Sequence, residues 1–293
     1  MELRHIPFKK MNGLGNDFVM IDARSQAVRL SAATAGAIAG RAEGAGCDQV
    51  IVLEPSRTAD VFMRILNADG SEVNACGNAS RCVAALLSPG LGRGRLTIET
   101  RAGVLGAEVL ASGLVTVDMG APRFGWGEIP LSRAFEDTRA IDLTFPLPGG
   151  RELTRPSVVN VGNPHCIFWV EDTEAFDLGS FGAALEHHPL FPERANISLA
   201  EVKSESSLKL RVWERGTGLT QACGTAACAA AVAAARTGRT GRQVTVELPG
   251  GTLAIEWRTT DGHILMTGPT QLEFEGVLHF NGGGHLAGWA RQP

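Results

Sequence analysis

The sequence predicts an α+β protein of two pseudo-symmetric domains. Each is a curled, mostly antiparallel sheet wrapped around a central helix, with the active site in the cleft between them. Three observations point there. The chain repeats itself, strand patterns outnumber helical ones in both halves, and in each half a cysteine stands directly before a helix of small residues.

The repeat comes first. GNDFVMI, from Gly15, lies over GNPHCIF, from Gly162, and ACGNA around Cys76 lies over ACGTA around Cys223, both at a shift of 147. Gln49 falls on Asn196 and Asn67 on Glu214 at the same shift. Farther on, ETRAGVLGAEV matches ELPGGTLAIEW and VDMGAPRFG matches LMTGPTQLEFEG, with the shift now 148. One shift held across so long a stretch implies two copies of one ancestral unit, near 1–128 and 150–278. The Pro/Gly-rich LTFPLPGGRELTRP segment between them reads as a linker. The domains are therefore expected at 1–128 and 129–293, with roughly the last 15 residues free to return to the first domain.

In chain order, the first helical signal runs from about Ser31 to Arg41 and opens on Ser31 as its cap. DVFMRILN, from Asp60, alternates apolar and polar side chains as a half-buried strand does. A helix begins just after Cys76, in GNASRCVAALL, and should stop at Ser88-Pro89-Gly90. RLTIET, VLGAEVL and LVTVDM read as short strands separated by Gly, Asp and Ser turns. The second half repeats the order. LKLRVWE is a strand, GTAACAAAVAAAR after Cys223 is a helix ending at Gly238, and VTVEL, LAIEW and HILMT are strands.

Composition excludes several classes of function. With 44% apolar and 20% charged residues the chain is an ordinary globular one. A net charge of −4 leaves no basic footprint for nucleic acid and no polybasic arm for a membrane surface. The opening MELRHIPFKKMNG lacks the apolar core of a signal peptide, and the Ala-rich stretch from Gly216 to Arg236 is too polar at its start to span a bilayer, so a cytoplasmic location is expected. Six cysteines without a Cys-x-x-Cys pair make neither a disulfide framework nor a zinc site, so no metal is expected. The lysines, Lys9, Lys10, Lys203 and Lys209, lie outside any phosphate-cradling glycine context, which disfavours pyridoxal phosphate; no cofactor is expected.

Cys76 and Cys223 share a physical setting: each follows a loop and precedes a first helical turn, whose N–H groups have no partner within the helix. Such a position stabilises thiolate over thiol and can bring a cysteine from about 8.5 towards neutrality. The same N–H groups, at Gly77-Asn78 and Gly224-Thr225, suit a carboxylate. If both helix starts meet one ligand, a thiol stands on each side of it. That arrangement suits inversion of an α-carbon next to a carboxylate, where one sulfur removes the proton and the other returns it on the opposite face. Contacts of about 3–3.5 Å on each side place the sulfurs roughly 6–7 Å apart.

MNGLGNDF, NADGSEVNACGNASR, NVGNPHC, PERANI and ERGTGLTQACGTAACA together resemble the diaminopimelate epimerases, amino-acid racemases independent of pyridoxal phosphate, from about Lys10 to Gly276. The resemblance implies interconversion of L,L- and meso-2,6-diaminopimelate, a precursor in lysine and cell-wall synthesis, by a homodimer acting on a small molecule. It implies Cys76 and Cys223 as the acid/base pair, with His165 and Glu214 orienting or activating them. It further implies Asn16, Gln49, Asn67, Asn163, Asn196, Glu214 and Arg215 as substrate residues, and Gly77, Asn78, Gly224 and Thr225 on the reacting carboxylate. Asn12 stands where the motif often has His, and Ala79 and Ala226 where Gly is common.

Other residues read as structural. Cys47, Cys82, Cys166 and Cys228 are expected in the core, as is Trp213; His187-His188 belongs to a surface loop. Asp69-Gly70-Ser71 is a turn that sets the loop before Cys76, and Arg81 is a surface helix charge outside the site. Three rival functions stay open on the residues alone: a racemase for a smaller amino acid, a dithiol redox switch, and an amino-acid-binding module.

Overall fold

The computed structural model describes residues 4–292. The first half of the chain gives β1 (Arg4–Gly13), β2 (Asn16–Asp22), α1 (Ala32–Ala39), β3 (Gln49–Glu54), β4 (Val61–Asn67), β5 (Glu72–Val73), α2 (Gly77–Leu91), β6 (Arg95–Thr100), β7 (Gly103–Val109) and β8 (Val115–Asp118). The hairpin β9 (Thr144–Pro146) and β10 (Glu152–Thr154) follows. The second half gives β11 (Ser157–Asn160), β12 (Pro164–Trp169), α3 (Leu178–Glu186), β13 (Asn196–Ser204), β14 (Ser207–Glu214), β15 (Gly218–Thr220), α4 (Gly224–Arg236), β16 (Gln243–Leu248), β17 (Gly251–Trp257) and β18 (Ile264–Gly268), before β19 (Gln271–Phe280) and β20 (Leu286–Arg291).

The repeat is legible in the strand register. In the first half β2 and β3 run parallel with Phe18 opposite Gln49, and β3 and β4 antiparallel with Gln49 opposite Asn67. In the second half β12 and β13 run parallel with His165 opposite Asn196, which is the same pairing moved by 147 residues. The parallel step Val61 opposite Ile98 recurs as Leu208 opposite Val246. Past that point the match slips once more. Ala107 faces Val117 but Ile255 faces Met266, because the connection between β17 and β18 is one residue longer than that between β7 and β8.

The chain divides into two compact units, Met1–Val117 with Gly268–Pro293, and Asp118–Thr267. The division falls earlier than residue 128, and the returning segment is longer than the last fifteen residues. Strand pairing is the cause. Met119 donates its N–H to Ile264 O and Arg123 bridges Asn160, which ties the chain after β8 into the second unit. Reciprocally, β19 pairs along β1, with Asn12 opposite Gln271. The segment after each repeat thus pairs with the opening strand of the other. The Pro/Gly-rich stretch is no linker; it folds as the β9–β10 hairpin, and its Leu147 and Leu153 are buried in the core of the second unit.

Each unit wraps its sheet around a helix. α4 is buried nearly all round, with ten of its thirteen residues inaccessible, and Ala at most positions lets the surrounding strands approach. In the first unit Gly77 to Ala84 are all buried on α2. The opposite face of each sheet is covered by a second helix. Val50 and Val52 of β3 pack with Ala35 and Ile38 of α1, while Ile197 and Leu199 of β13 pack with Leu178, Phe181 and Leu185 of α3. This two-sided burial explains why VIVL is continuously apolar within β3.

Ser31 caps α1 as expected, its hydroxyl accepting from Thr34 N at 3.1 Å. The stop at Ser88-Pro89-Gly90 does not hold. α2 carries Pro89 in its last turn, where the missing N–H breaks only one bond, and ends at Gly92 in the left-handed conformation at φ 63°. Local patterning does not reveal α3, because Gly179, Ser180 and Gly182 dilute its helical signal; the 147 shift that maps α1 onto it is the one clue the chain offers.

Candidate functional site

Each unit carries one cluster of candidate residues, and the two clusters are built on the same parts. In the first unit Cys76 is the N-cap residue of α2, in extended conformation (φ −148°, ψ 110°), and no side chain caps the helix. Cys76 O accepts from Ser80 N at 3.0 Å and from Ser80 Oγ at 2.9 Å, which fixes the thiol-bearing residue against the helix. The Cys76 thiol donates to Asn16 Oδ1 at 3.9 Å, and Asn78 Nδ2 donates to the same oxygen at 3.4 Å. Asn16 opens β2, across a two-residue turn from β1.

Gln49 and Asn67 face each other across β3 and β4. Gln49 Nε2 donates to Asn67 Oδ1 at 3.0 Å, and Asn67 Nδ2 donates to Ser71 Oγ at 3.1 Å. Ser71 in turn sits in the expected turn, where Asp69 accepts from its N–H at 2.8 Å and Gly70 takes φ 81°. Gln49 Oε1 and Asn78 Oδ1 are buried acceptors with no hydrogen-bond partner among the described residues. A buried acceptor left unpaired costs about 1–3 kcal/mol, so both oxygens await donors.

In the second unit Cys223 holds the equivalent N-cap position on α4 (φ −131°, ψ 108°) and is 4% exposed. Its sulfur lies 3.4 Å from Thr225 Oγ1, which receives Asn163 Nδ2 at 3.5 Å. Thr220 donates its hydroxyl to Glu214 Oε1 at 2.6 Å. The helix start does not win here. Burial first, and then the negative charge of Glu214, push the Cys223 thiol well above its ordinary value, while the Thr225 hydroxyl and Ala226 N–H pull the other way. Glu214 is thus the acceptor facing this thiol, and Cys223 is held protonated rather than brought to neutrality.

His165 is fully buried on β12 and its Nε2 bonds Asn163 Oδ1 at 2.8 Å. Burial, then the nearby positive charge of Arg215, lowers it to about 3, so the ring is neutral. Its Nε2 bond reaches Asn163, and not the thiol that the family resemblance has it orient. Asn196 is 2% exposed and spends its amide on the backbone, donating to Pro164 O at 3.0 Å and accepting from Arg215 N at 2.9 Å. It therefore shapes the turn that carries Arg215, which is half-buried and whose guanidinium donates to Glu193 O at 3.0 Å.

Three features escape the sequence. Arg81, read as a surface charge, is fully buried, with Nη2 3.4 Å from where a Cβ on Gly13 would lie. The 147 shift places it on Cys228, itself fully buried, which marks the position as inward-facing. Asp48, beside Gln49, bonds Asn16 Nδ2 at 2.7 Å. Glu186, at the end of α3, accepts from Trp213 Nε1 at 2.8 Å and from Gly216 N at 2.9 Å, bracing the turn after Glu214. The four remaining cysteines are buried as expected, and Trp213 is half-buried against the core. Among the described residues no group of three or more His, Cys, Asp or Glu is placed to hold a metal ion.

The fold is shared with solved structures that differ widely from this chain in sequence. Among them is a phenazine biosynthesis protein of the PhzF family from Bacillus anthracis (TM-score 0.66, 18% identity, 94% of this chain and 99% of that one). A hydroxyproline epimerase from Agrobacterium vitis superposes with TM-score 0.66 at 16% identity, covering 96% and 94%. The sequence itself matches the diaminopimelate epimerase family over residues 8–125 and 157–273. It is 53% identical over 277 residues to a diaminopimelate epimerase from Rhodopseudomonas palustris strain BisB18, covering 94% of this chain and 95% of the relative. Another diaminopimelate epimerase, from Brucella anthropi, is 53% identical over 274 residues, covering 92% and 91%. The chain belongs to the diaminopimelate epimerase family.

Proposed function

We propose that this protein is an isomerase that interconverts L,L- and meso-2,6-diaminopimelate without a cofactor, using Cys76 and Cys223 as a two-base pair. The observation that carries the reading is the repeated half-site: a cysteine at the N-cap of a buried helix, at equivalent positions of two copies, in a chain about half identical to diaminopimelate epimerases.

One sulfur, as thiolate, takes the α-proton from one face of the substrate, and the other, as thiol, delivers a proton to the opposite face. The proton count is conserved, and the next turnover in reverse restores the starting state. Charge that builds at the α-carbon spreads into the adjacent carboxylate. The first-turn N–H groups of Gly77-Asn78 and Gly224-Thr225 supply fixed dipoles for that oxygen charge, and dipoles already in place need no reorganisation as it forms. Glu214 faces the Cys223 thiol as its acceptor and favours the protonated form from which that sulfur delivers a proton. Neutral His165 holds Asn163 in place.

Asn16, Asn163 and the unpaired oxygens of Gln49 and Asn78 offer directional bonds to the ammonium groups, and Arg215 a fork for the distal carboxylate. Homodimerisation and a cytoplasmic setting belong to the same reading; no helix among the described residues is long and apolar enough to cross a membrane.

The test is to incubate the enzyme with L,L-diaminopimelate in deuterated water. Meso product carrying one α-deuterium is expected. Unchanged, unlabelled substrate would overturn the assignment.

A further inference from the structure

We infer that Asp48 is a positioning residue: its carboxylate fixes the amide of Asn16 so that the carbonyl oxygen, and not the amino group, faces the Cys76 thiol. The inference deepens the two-thiol reading and rests on it for its catalytic meaning.

Asp48 Oδ2 lies 2.7 Å from Asn16 Nδ2 and also accepts from Asp17 N at 3.0 Å. A carboxylate can only accept, so the NH2 side of Asn16 is the one it can hold, and Oδ1 is left to receive the Cys76 S–H and Asn78 Nδ2. Asp48 is itself anchored. Arg41 Nη2 donates to its Oδ1 at 2.6 Å, and Asp48 N donates to Asp17 Oδ1 at 2.9 Å. Arg41 also bonds both oxygens of Asp17, at 3.1 and 3.0 Å, and Lys10, which is 3% exposed, closes the network on Asp17 and Gly46 O.

The second half-site lacks this device. At the 147 shift Asp48 becomes Ala195, and Asn163, the counterpart of Asn16, is turned the other way. Its Oδ1 meets His165 and its NH2 group points to Thr225 beside Cys223. The two copies therefore offer opposite faces of the same amide: an acceptor at Cys76, a donor on the Cys223 side. An acceptor at a thiol favours its protonated form, so Asp48, by way of Asn16, raises the pH at which Cys76 gives up its proton. The other charged or titratable groups around this corner are Lys10 on β1, Asp17 on β2, Arg41 after α1, Arg81 and Cys82 on α2, and Glu273 on β19. Arg81, Cys76 and Glu273 all act on the Cys82 thiol.

The experiment is a double-substitution cycle on the full-length enzyme, reading the pH dependence of Cys76 alkylation by iodoacetamide through mass spectrometry of the Cys76 peptide. Asp48→Asn should lower the midpoint for Cys76 by about one pH unit, roughly a tenfold gain in thiolate at fixed pH below the midpoint. In an Asn16→Ala background the same substitution should produce no further shift, because the amide through which it acts is gone. An equal shift in both backgrounds would mean that Asp48 acts only through its charge, and no shift in either would mean that it does nothing to Cys76; each overturns the inference. If Asp48→Asn is not recovered folded, Asp48→Ser takes its place in the cycle, with the same shift expected and the same two results overturning the inference. Since alkylation is read without substrate, the result stands apart from whether diaminopimelate is epimerised.

Discussion

Replacing His165 with glutamine should make the protein less sensitive to mild acid, and the structure sets the size of the effect. The imidazole is completely buried and titrates at about 3, against an ordinary 6.5. Its folded value is depressed, so the native state refuses a proton that the unfolded chain accepts. The stabilisation is complete above pH 6.5, drains away as pH falls, and is exhausted near pH 3. At pH 5.0 the unfolded imidazole is almost fully protonated and the native one is not, which costs about 2 kcal/mol; at pH 7.5 the cost is close to nothing. Urea unfolding followed by tryptophan fluorescence at the two pH values gives the loss directly. The wild type should lose about 2 kcal/mol more than His165→Gln between pH 7.5 and 5.0. An equal loss in both proteins would show that His165 is protonated in the native state and refute the neutral ring.

Other perturbations reach the scaffold of the second candidate cluster. Glu186→Ala removes the acceptor of Trp213 Nε1 and Gly216 N, and calorimetry should show a loss of about 3 kcal/mol with a raised KM, since the turn carrying Arg215 loosens; an unchanged Tm would contradict this. Gly182→Ala drives a Cβ to within 2.6 Å of the Trp213 ring, so a destabilisation of about 1–3 kcal/mol is expected, and a Tm equal to wild type would mean that the ring has room to move.

The sequence carried most of the fold because the repeat supplied long-range information that local patterns lack. Once Phe18 and His165 occupy one position of the repeat, the register of β2 on β3 dictates that of β12 on β13, and both candidate clusters follow. What the sequence concealed is physical in kind. Pro and Gly in the β9–β10 hairpin look the same as Pro and Gly in a linker, since both need a turn and only the buried Leu147 and Leu153 tell them apart. Arg81 looks like a surface charge because local spacing does not reveal that the first two turns of α2 are enclosed on all sides. Asp48 and Glu186 are invisible because each acts by holding another residue, and such roles emerge only when two distant segments are brought to hydrogen-bonding distance. Even the charge state of Cys223 turns on packing: a helix start favours the thiolate, but burial beside Glu214 outweighs it.

The most direct trial of the proposed two-thiol mechanism is to exchange the sulfurs of Cys76 and Cys223 singly for oxygen and follow optical conversion of diaminopimelate in both directions. Cys76→Ser and Cys223→Ser should each leave a folded protein with no net epimerisation, because an alcohol is far too weak an acid to supply the missing base. Near-native turnover by either variant would show that inversion does not require both residues.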